Sequence, residues 1–161
     1  MHNIIIAIDP GYDRCGVAII SDGALAHSTC IITNKKDSHE KRLTQIYETI
    51  TTLIQEWHPT HLAVETLFFS TNKKTAIKVA EARGVIILLA GIHNIELLEL
   101  SPQDVKLAMA GVGNADKKQV QKMVAMTLKI DISDKLDDEI DAIALGYAAL
   151  GLIRVNQMGK R

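Results

Sequence analysis

Four carboxylates stand where a fold could gather them. Asp9 closes the apolar run Ile4-Ile5-Ile6-Ala7-Ile8 and is followed at once by Pro10-Gly11, while Glu65 closes a second run, Leu62-Ala63-Val64. Asp138 and Asp141 lie three residues apart in a helical pattern far along the chain. An ionised side chain at the end of a buried strand is costly unless something pairs with it. Clustered acids without matching bases answer to a metal ion, and oxygen-only ligation points to Mg²⁺ or Mn²⁺. The expectation is one solvent-accessible site holding all four.

Each motif also has a plainer explanation. Asp-Pro-Gly at a strand end is ordinary turn chemistry. Read instead as a site, it sets a carboxylate where open α/β sheets bind ligands. Near the second pair, Asp131, Asp134, Asp137, Asp138, Glu139 and Asp141 crowd a helix start, where acids suit the macrodipole. That effect is only about 0.3–1 kcal/mol per charge, and acids this close repel one another. A divalent cation would turn the repulsion into attraction. Residues three apart share a helix face, so Asp138 and Asp141 can point at one site. Asp134/Asp138 and Asp137/Asp141 share faces equally well, and periodicity alone leaves that choice open.

The elements that must position these acids are legible. Strand-like segments cover residues 3–9, 14–21 and 24–33, with Asp22-Gly23 a type I′ hairpin signal. If that turn holds two residues, Cys15 faces Cys30 across the hairpin as a pair of neighbouring free thiols. Asp37 to Trp57 reads as an amphipathic helix with Leu43, Ile46, Tyr47, Ile50, Leu53 and Ile54 on one stripe. Pro59 ends it, and 61–65 is a short buried strand. A long helix capped by Thr71 or Asn72 runs to about Leu89, and a strand follows at 95–100. Ser101-Pro102 opens a further helix, Asn114 caps the next, and a last one begins between Ser133 and Asp137. Three strands in a hairpin sheet, extended by two after helices, predict an α/β fold with a five-stranded mixed sheet flanked by helices.

Composition bounds the rest. A chain of 161 residues, 47% apolar and only 4% aromatic, has the size of one domain with an aliphatic core. The longest apolar run, Val85 to Ile92, is too short to span a bilayer. Residues 1–3 carry no basic leader, and two cysteines make no disulfide framework, so a cytoplasmic location is expected. The net charge of −1 argues weakly against a nucleic-acid partner, but setting four metal-binding acids aside leaves 15 acids against 18 Lys and Arg. The six histidines show no metal-ligand spacing.

Basic residues follow the acidic segments: Lys73, Lys74 and Lys78 after Glu65, then Lys106, then Lys117, Lys118 and Lys122. A solvated helix face accounts for each alone. Phe68-Phe69, set beside lysines in a loop, supplies what base stacking requires, although one of the two serves a core equally well.

These stretches resemble the RuvC-type Holliday junction resolvases. The matching segments are IAIDPGYDRCGVAI (6–19), LAVETLF (62–68), AEARGV (80–85), SPQDVK (101–106), GVGNADKKQV (111–120) and DEIDAIALG (138–146). They follow in order over essentially the whole chain. The resemblance implies an RNase H-like fold in a single nuclease domain over residues 1–161. It also implies Mg²⁺-dependent phosphodiester hydrolysis with two ions per site, Mn²⁺ being possible, and a homodimer that cuts four-way DNA junctions. By position, Asp9, Glu65, Asp138 and Asp141 become the catalytic and metal-binding acids. Phe68 becomes the aromatic that stacks on junction bases, and Lys106 and Lys117 contact phosphates, with Lys118 an adjacent substitute. Lys73 and Lys74 join them as DNA-binding candidates by proximity. A branch-migration helicase complex is an admissible partner. Some members carry a histidine shortly after the last acid, where this chain has Ile143 and Ala144. The long helix after Asn72, with Ala76, Ile77, Ala80, Ala82, Gly84 and Val85, is the expected dimer contact, although those residues suit a core as well.

Three other readings compete. A YqgF-like nuclease acting on RNA shares the acidic strand end and glycine turn, but lacks the Asp138/Asp141 pair and the 101–120 match. A module that binds branched DNA without cutting is disfavoured by the presence of all four acids. An ATP-binding domain of the actin or sugar-kinase kind would need a second phosphate loop, for which the chain has no room.

Overall fold

The computed structural model describes residues 3–66 and 73–159, Lys73 to Thr75 by backbone alone. Its strands are β1 (Ile4–Asp9), β2 (Arg14–Ser21), β3 (Ala24–Ile32), β4 (His61–Glu65) and β5 (Glu96–Leu100). They form one five-stranded sheet in the order β3-β2-β1-β4-β5. β1–β2 and β2–β3 are antiparallel, and β1–β4 and β4–β5 are parallel, so the sheet is mixed as expected. Helices α1 (His39–Trp57) and α2 (Lys73–Ile92) lie on one face. On the other lie α3 (Pro102–Ala110), α4 (Lys117–Leu128) and α5 (Asp137–Met158).

Strand alternation divides the core in two. Ile6, Ile8, Val17, Ile19, Leu62 and Val64 pack toward α1 and α2, with Ile46, Ile50, Ile86 and Leu89 from those helices. Ile5, Ala7, Ala18, Ile20 and Ala63 pack toward α5, against Ala142, Ile143, Leu145 and Ala149. Asp9 continues the parity of Ile5 and Ala7, and Glu65 that of Ala63. Both carboxylates therefore belong to the α5 face, on neighbouring parallel strands whose last paired residues are Ile8 and Val64.

Helix α5 lies directly on β1 and β2, and two glycines permit the approach. A Cβ on Gly16 would stand 1.8 Å from the backbone oxygen of Asp138, and one on Gly146 would stand 2.7 Å from Ile20. At its start α5 has no side-chain cap on Leu136. It is tied down instead by the buried carboxylate of Glu139, which accepts from Ser28 Oγ of β3 at 2.6 Å and from Lys135 Nζ at 2.7 Å.

Three expectations need correction. Asn114 does not cap α4; Asp116 does, in a reciprocal box where its side chain accepts from Gln119 N and Gln119 accepts from Asp116 N. That box satisfies two helix-end donors at once, which a cap at Asn114 would not. Ala82 of α2 is fully buried and belongs to the core, not to an exposed contact. The hairpin turn is centred on Asp22-Gly23, both at positive φ, and Ile20 faces Leu25 as expected. The register then shifts: Ile19 faces His27, leaving Ala26 as a bulge, and Cys15 faces Ile31 while Cys30 faces Gly16. The two thiols are free and lie on opposite faces of the sheet.

Gly16→Ala tests the close approach. The added methyl can be accommodated only by moving the start of α5, so a loss of about 1–3 kcal/mol in unfolding free energy is expected, of the kind overpacking causes. Denaturant titration measures it. A variant as stable as the parent would refute the contact.

Candidate active site

The four acids come together where the carboxyl ends of β1 and β4 meet the first turns of α5. Asp9 is the most deeply placed. Its pKa is raised from 3.8 to about 7, first by burial and then by the charges of Glu65, Asp141 and Asp138, with Lys117 acting in the opposite direction. Glu65 is raised by burial and by Asp141, against Lys117 and Lys106. Asp141 is raised by burial and by Asp137 and Asp138, against its hydrogen bond with Lys117. These carboxylates sense one another's charge, as members of one site must. Of the pairs that periodicity leaves open, Asp9 senses the charges of Asp138 and Asp141, whereas Asp137 acts on Asp141 and stands near Lys117.

Two cations answer this charge. Lys117, the first residue of α4, places Nζ 2.7 Å from Asp141 Oδ2 and 3.6 Å from Asp137 Oδ2. Burial works against its charge, but Asp141, Asp137 and Asp138 outweigh that and raise its pKa. Arg14, the first residue of β2, places Nε 3.0 Å from Asp138 Oδ2. That oxygen is shielded from solvent and accepts no well-formed hydrogen bond. Arg14 is missing from the sequence-based candidates; its signal was the turn itself, which sets residue 14 beside whatever Gly16 touches.

Glu65 is positioned by its backbone. Arg83 of α2 donates from Nε to the Glu65 carbonyl at 3.0 Å and pairs with Glu99 of β5, while Thr66 N donates to Leu100 O at 2.9 Å. Arg83 lies in the AEARGV stretch at residues 80–85, yet only the fold reveals what it holds.

The predicted basic residues divide. Lys106 and Lys117 line one cavity of about 190 Å³ with Glu65 and Asp141. Lys118 is exposed on the next position of α4 and is absent from that lining. Lys73 and Lys74 begin the α2 backbone, and their side chains lie outside the described residues. Phe68 and Phe69 lie outside them altogether.

The donor set suits a hard divalent ion: carboxylate oxygens only, in mutual repulsion, one buried oxygen without a proper partner. As the side chains stand, no group of three His, Cys, Asp or Glu among the described residues is arranged to hold an ion. Asp138 and Asp141 are instead engaged by Arg14 and Lys117. The residues fit the ion in kind, and side-chain rotation away from these cations is what loading would require.

The family model for the crossover junction endodeoxyribonuclease RuvC matches residues 5–148. This chain belongs to the RuvC family. The RuvC of Thermosipho melanesiensis is 45% identical over 147 residues, covering 89% of this chain and 94% of that protein. The RuvC of Natranaerobius thermophilus is 43% identical over 146 residues, covering 88% and 91%. Among solved structures, T. thermophilus RuvC in complex with a Holliday junction substrate superposes with a TM-score of 0.89 at 25% identity, over 96% of this chain and 97% of that one. The expected RNase H-like resolvase fold is thereby borne out. RuvC proteins are nucleases, which makes this chain a hydrolase and sets aside the RNA-directed and non-cutting readings. Among the described residues, no helix is long and apolar enough to cross a membrane.

The raised carboxyls predict a pH dependence. A raised pKa means that the folded chain holds this proton more tightly than the unfolded chain does. The contribution of Asp9 is complete below about 3.8 and is lost as pH rises through about 7. Groups lowered by hydrogen bonds, such as Asp13 and Glu139, act with the opposite sign, and their window closes near pH 4.5. Between pH 5 and 8, in chelator, the thermal midpoint should therefore fall more steeply for the parent than for Asp9→Asn. At pH 8 the variant should be the more stable, by a few kcal/mol at most, at about 1.4 kcal/mol per pK unit. Parallel pH curves for the two proteins would contradict the placement of Asp9.

Proposed function

We propose that this chain resolves four-way (Holliday) DNA junctions by two symmetric phosphodiester cuts in homologous recombination and repair, with Asp9, Glu65, Asp138 and Asp141 as the catalytic acids. The observation that carries this reading is the mutual electrostatic coupling of those acids at the strand ends of a RuvC-family fold. The same four residues would hold the divalent ions, two Mg²⁺ per site with Mn²⁺ as a substitute. Such ions supply charge neutralisation at the phosphate and a more acidic attacking water.

The chain's own residues do the positioning. Lys106 and Lys117, beside Glu65 and Asp141, draw the phosphate into the site and offset its charge. Arg83 fixes the backbone from which Glu65 projects, and Ser28 and Lys135 fix the turn that carries Asp138. Phe68 stacks on a base unpaired at the crossover, and Lys73, Lys74 and Lys118 add phosphate contacts around it.

The working unit is a homodimer of single nuclease domains, each spanning residues 1–161, in the cytoplasm; a branch-migration helicase complex is its natural supplier of junctions. A two-fold dimer presents two equal sites to a substrate of the same symmetry. Support comes from α2, where Ile77, Gly84, Leu88 and Ile92 form one stripe, and the three apolar side chains are each more than half exposed.

Cleavage of a synthetic four-way junction in Mg²⁺, beside linear duplex and single strand, tests the proposal. Asp9→Asn and Glu65→Gln should each cut more than about a hundredfold more slowly, as expected when several kcal/mol of charge stabilisation are lost. Both should still bind the junction. Joint loss of binding and cutting in a folded Asp9→Asn protein would assign that acid a structural role.

Lys106→Ala should instead weaken binding and lower the slope of log affinity against log salt by about 0.9, the value for one phosphate contact. Phe68→Ala should impair cleavage by about 1–3 kcal/mol in apparent activation energy while leaving the melting temperature nearly unchanged. Normal cutting with a large fall in melting temperature would place Phe68 in the core.

A further inference from the structure

A second and larger cavity, about 690 Å³, opens on the other side of the acids from Lys106 and Lys117. Asp141 lines the smaller cavity and Asp138 the larger, so the two carboxylates of α5 stand between two clefts. Four cations and two carboxylates line the larger one. Asp13 is already neutralised by Arg42 and by Lys35, whose Nζ lies 3.2 Å away. The cations facing solvent are Arg14, Lys35 and Lys78, the first two with side chains 48% and 76% exposed.

The floor of this cleft is built, and its construction says what it can bind. Tyr12 is only 6% exposed. The Arg42 guanidinium lies 3.8 Å from its ring centroid, and Lys78 Nζ lies 5.0 Å from it. Its hydroxyl is bonded to His39 Nδ1 at 2.8 Å, and His39 Nε2 meets Glu81 of α2 at 3.1 Å. Arg42 also donates to Thr33 Oγ1 and to the Tyr12 carbonyl. The aromatic ring is thus locked under cations, with no open face on which a base could stack. What the cleft offers is charge: ammonium groups with donors to spare, and Arg14 with two terminal nitrogens uncommitted among the described residues while its Nε lies 3.0 Å from Asp138 Oδ2.

We infer that this cleft is a track for the sugar–phosphate backbone of the DNA strand being cut, on the side of the scissile phosphate opposite Lys106. In it, Lys35 and Lys78 take successive phosphates, and Arg14 is a positioning residue joining the track to Asp138. The inference rests on the junction-cutting reading above and adds a second half to the substrate path. Because the contacts are to phosphate, the track contributes affinity and register but no sequence preference. A fork from the Arg14 terminal nitrogens to a phosphate, with Nε still beside Asp138, would align the strand with the acid.

The experiment compares wild type, Lys35→Ala/Lys78→Ala, Lys35→Arg/Lys78→Arg and Arg14→Gln on a labelled four-way junction. Binding is measured in chelator over a range of salt, and cutting in Mg²⁺ at saturating and subsaturating junction. The double alanine variant should bind roughly tenfold more weakly, with a salt slope reduced by about 1.8, or about 0.9 for each of two lost contacts. That loss should be the same on junctions of different sequence, and the double arginine variant should restore it. At saturation the alanine variant should cut within about twofold of wild type, whereas Arg14→Gln should cut more slowly even there. An unchanged affinity and slope in a folded alanine variant, with wild type active, would overturn the track alone. A loss confined to one junction sequence would overturn it in favour of base recognition. Wild type that neither binds nor cuts the junction would overturn the functional reading and the track with it.

Discussion

The contact between β2 and the start of α5 is the constraint on which the rest of this molecule depends. Gly16 meets the backbone of Asp138 with no space for a methyl group, and Gly146 meets Ile20 a few turns on. Because α5 lies flat on the sheet at these two points, Asp138 and Asp141 project over the ends of β1 and β4. A helix held off by even one side chain would leave its carboxylates out of reach of Asp9. Packing here sets the electrostatics directly, since interiors of this density do not yield by small amounts.

The electrostatics in turn oppose the fold. Three acids of the site are held above their ordinary pKa values, burial being the first cause in each. The core supports that cost from both sides of the sheet, and Arg14 and Lys117 relieve part of it. Such a site is less stable than its surroundings allow, and it gains most when a positively charged group enters. The two clefts beside the acids both carry cations in their walls, Lys106 and Lys117 in one and Arg14, Lys35, Arg42 and Lys78 in the other.

Much of this was legible in the sequence, because the relevant signals are local. The ends of β1 and β4, the Asp22-Gly23 turn and the Ser101-Pro102 helix start are each written in a few adjacent residues. Asp9 and Glu65 could be named because each closes an apolar run, whereas the choice of Asp138 with Asp141 came from the family resemblance, since periodicity left the helical pair open. What escaped was set by tertiary contact. Arg14 and Arg83 look like surface cations until the strand carrying one is laid against α5 and the helix carrying the other against β4. Asp116 displaced Asn114 as a cap only because Gln119 could reciprocate. The register of β3 also escaped, as a bulge costs little and leaves no sequence mark at Ala26.

That bulge decides which residues of β3 look toward α5. With Ala26 looped out, Ser28 stands opposite Ala18 and faces α5, where it bonds Glu139, while His27 turns to the other face and stacks on Trp57. In an unbroken ladder the parity would reverse: His27 would be pressed against α5, and Ser28 would be carried away from Glu139. The spacing of an outer hairpin is therefore part of how α5 is moored. Edge strands ordinarily tolerate gain or loss of a residue near their turns. Here a one-residue change in the length of β3 would be transmitted, through Glu139, to the carboxylate next to it.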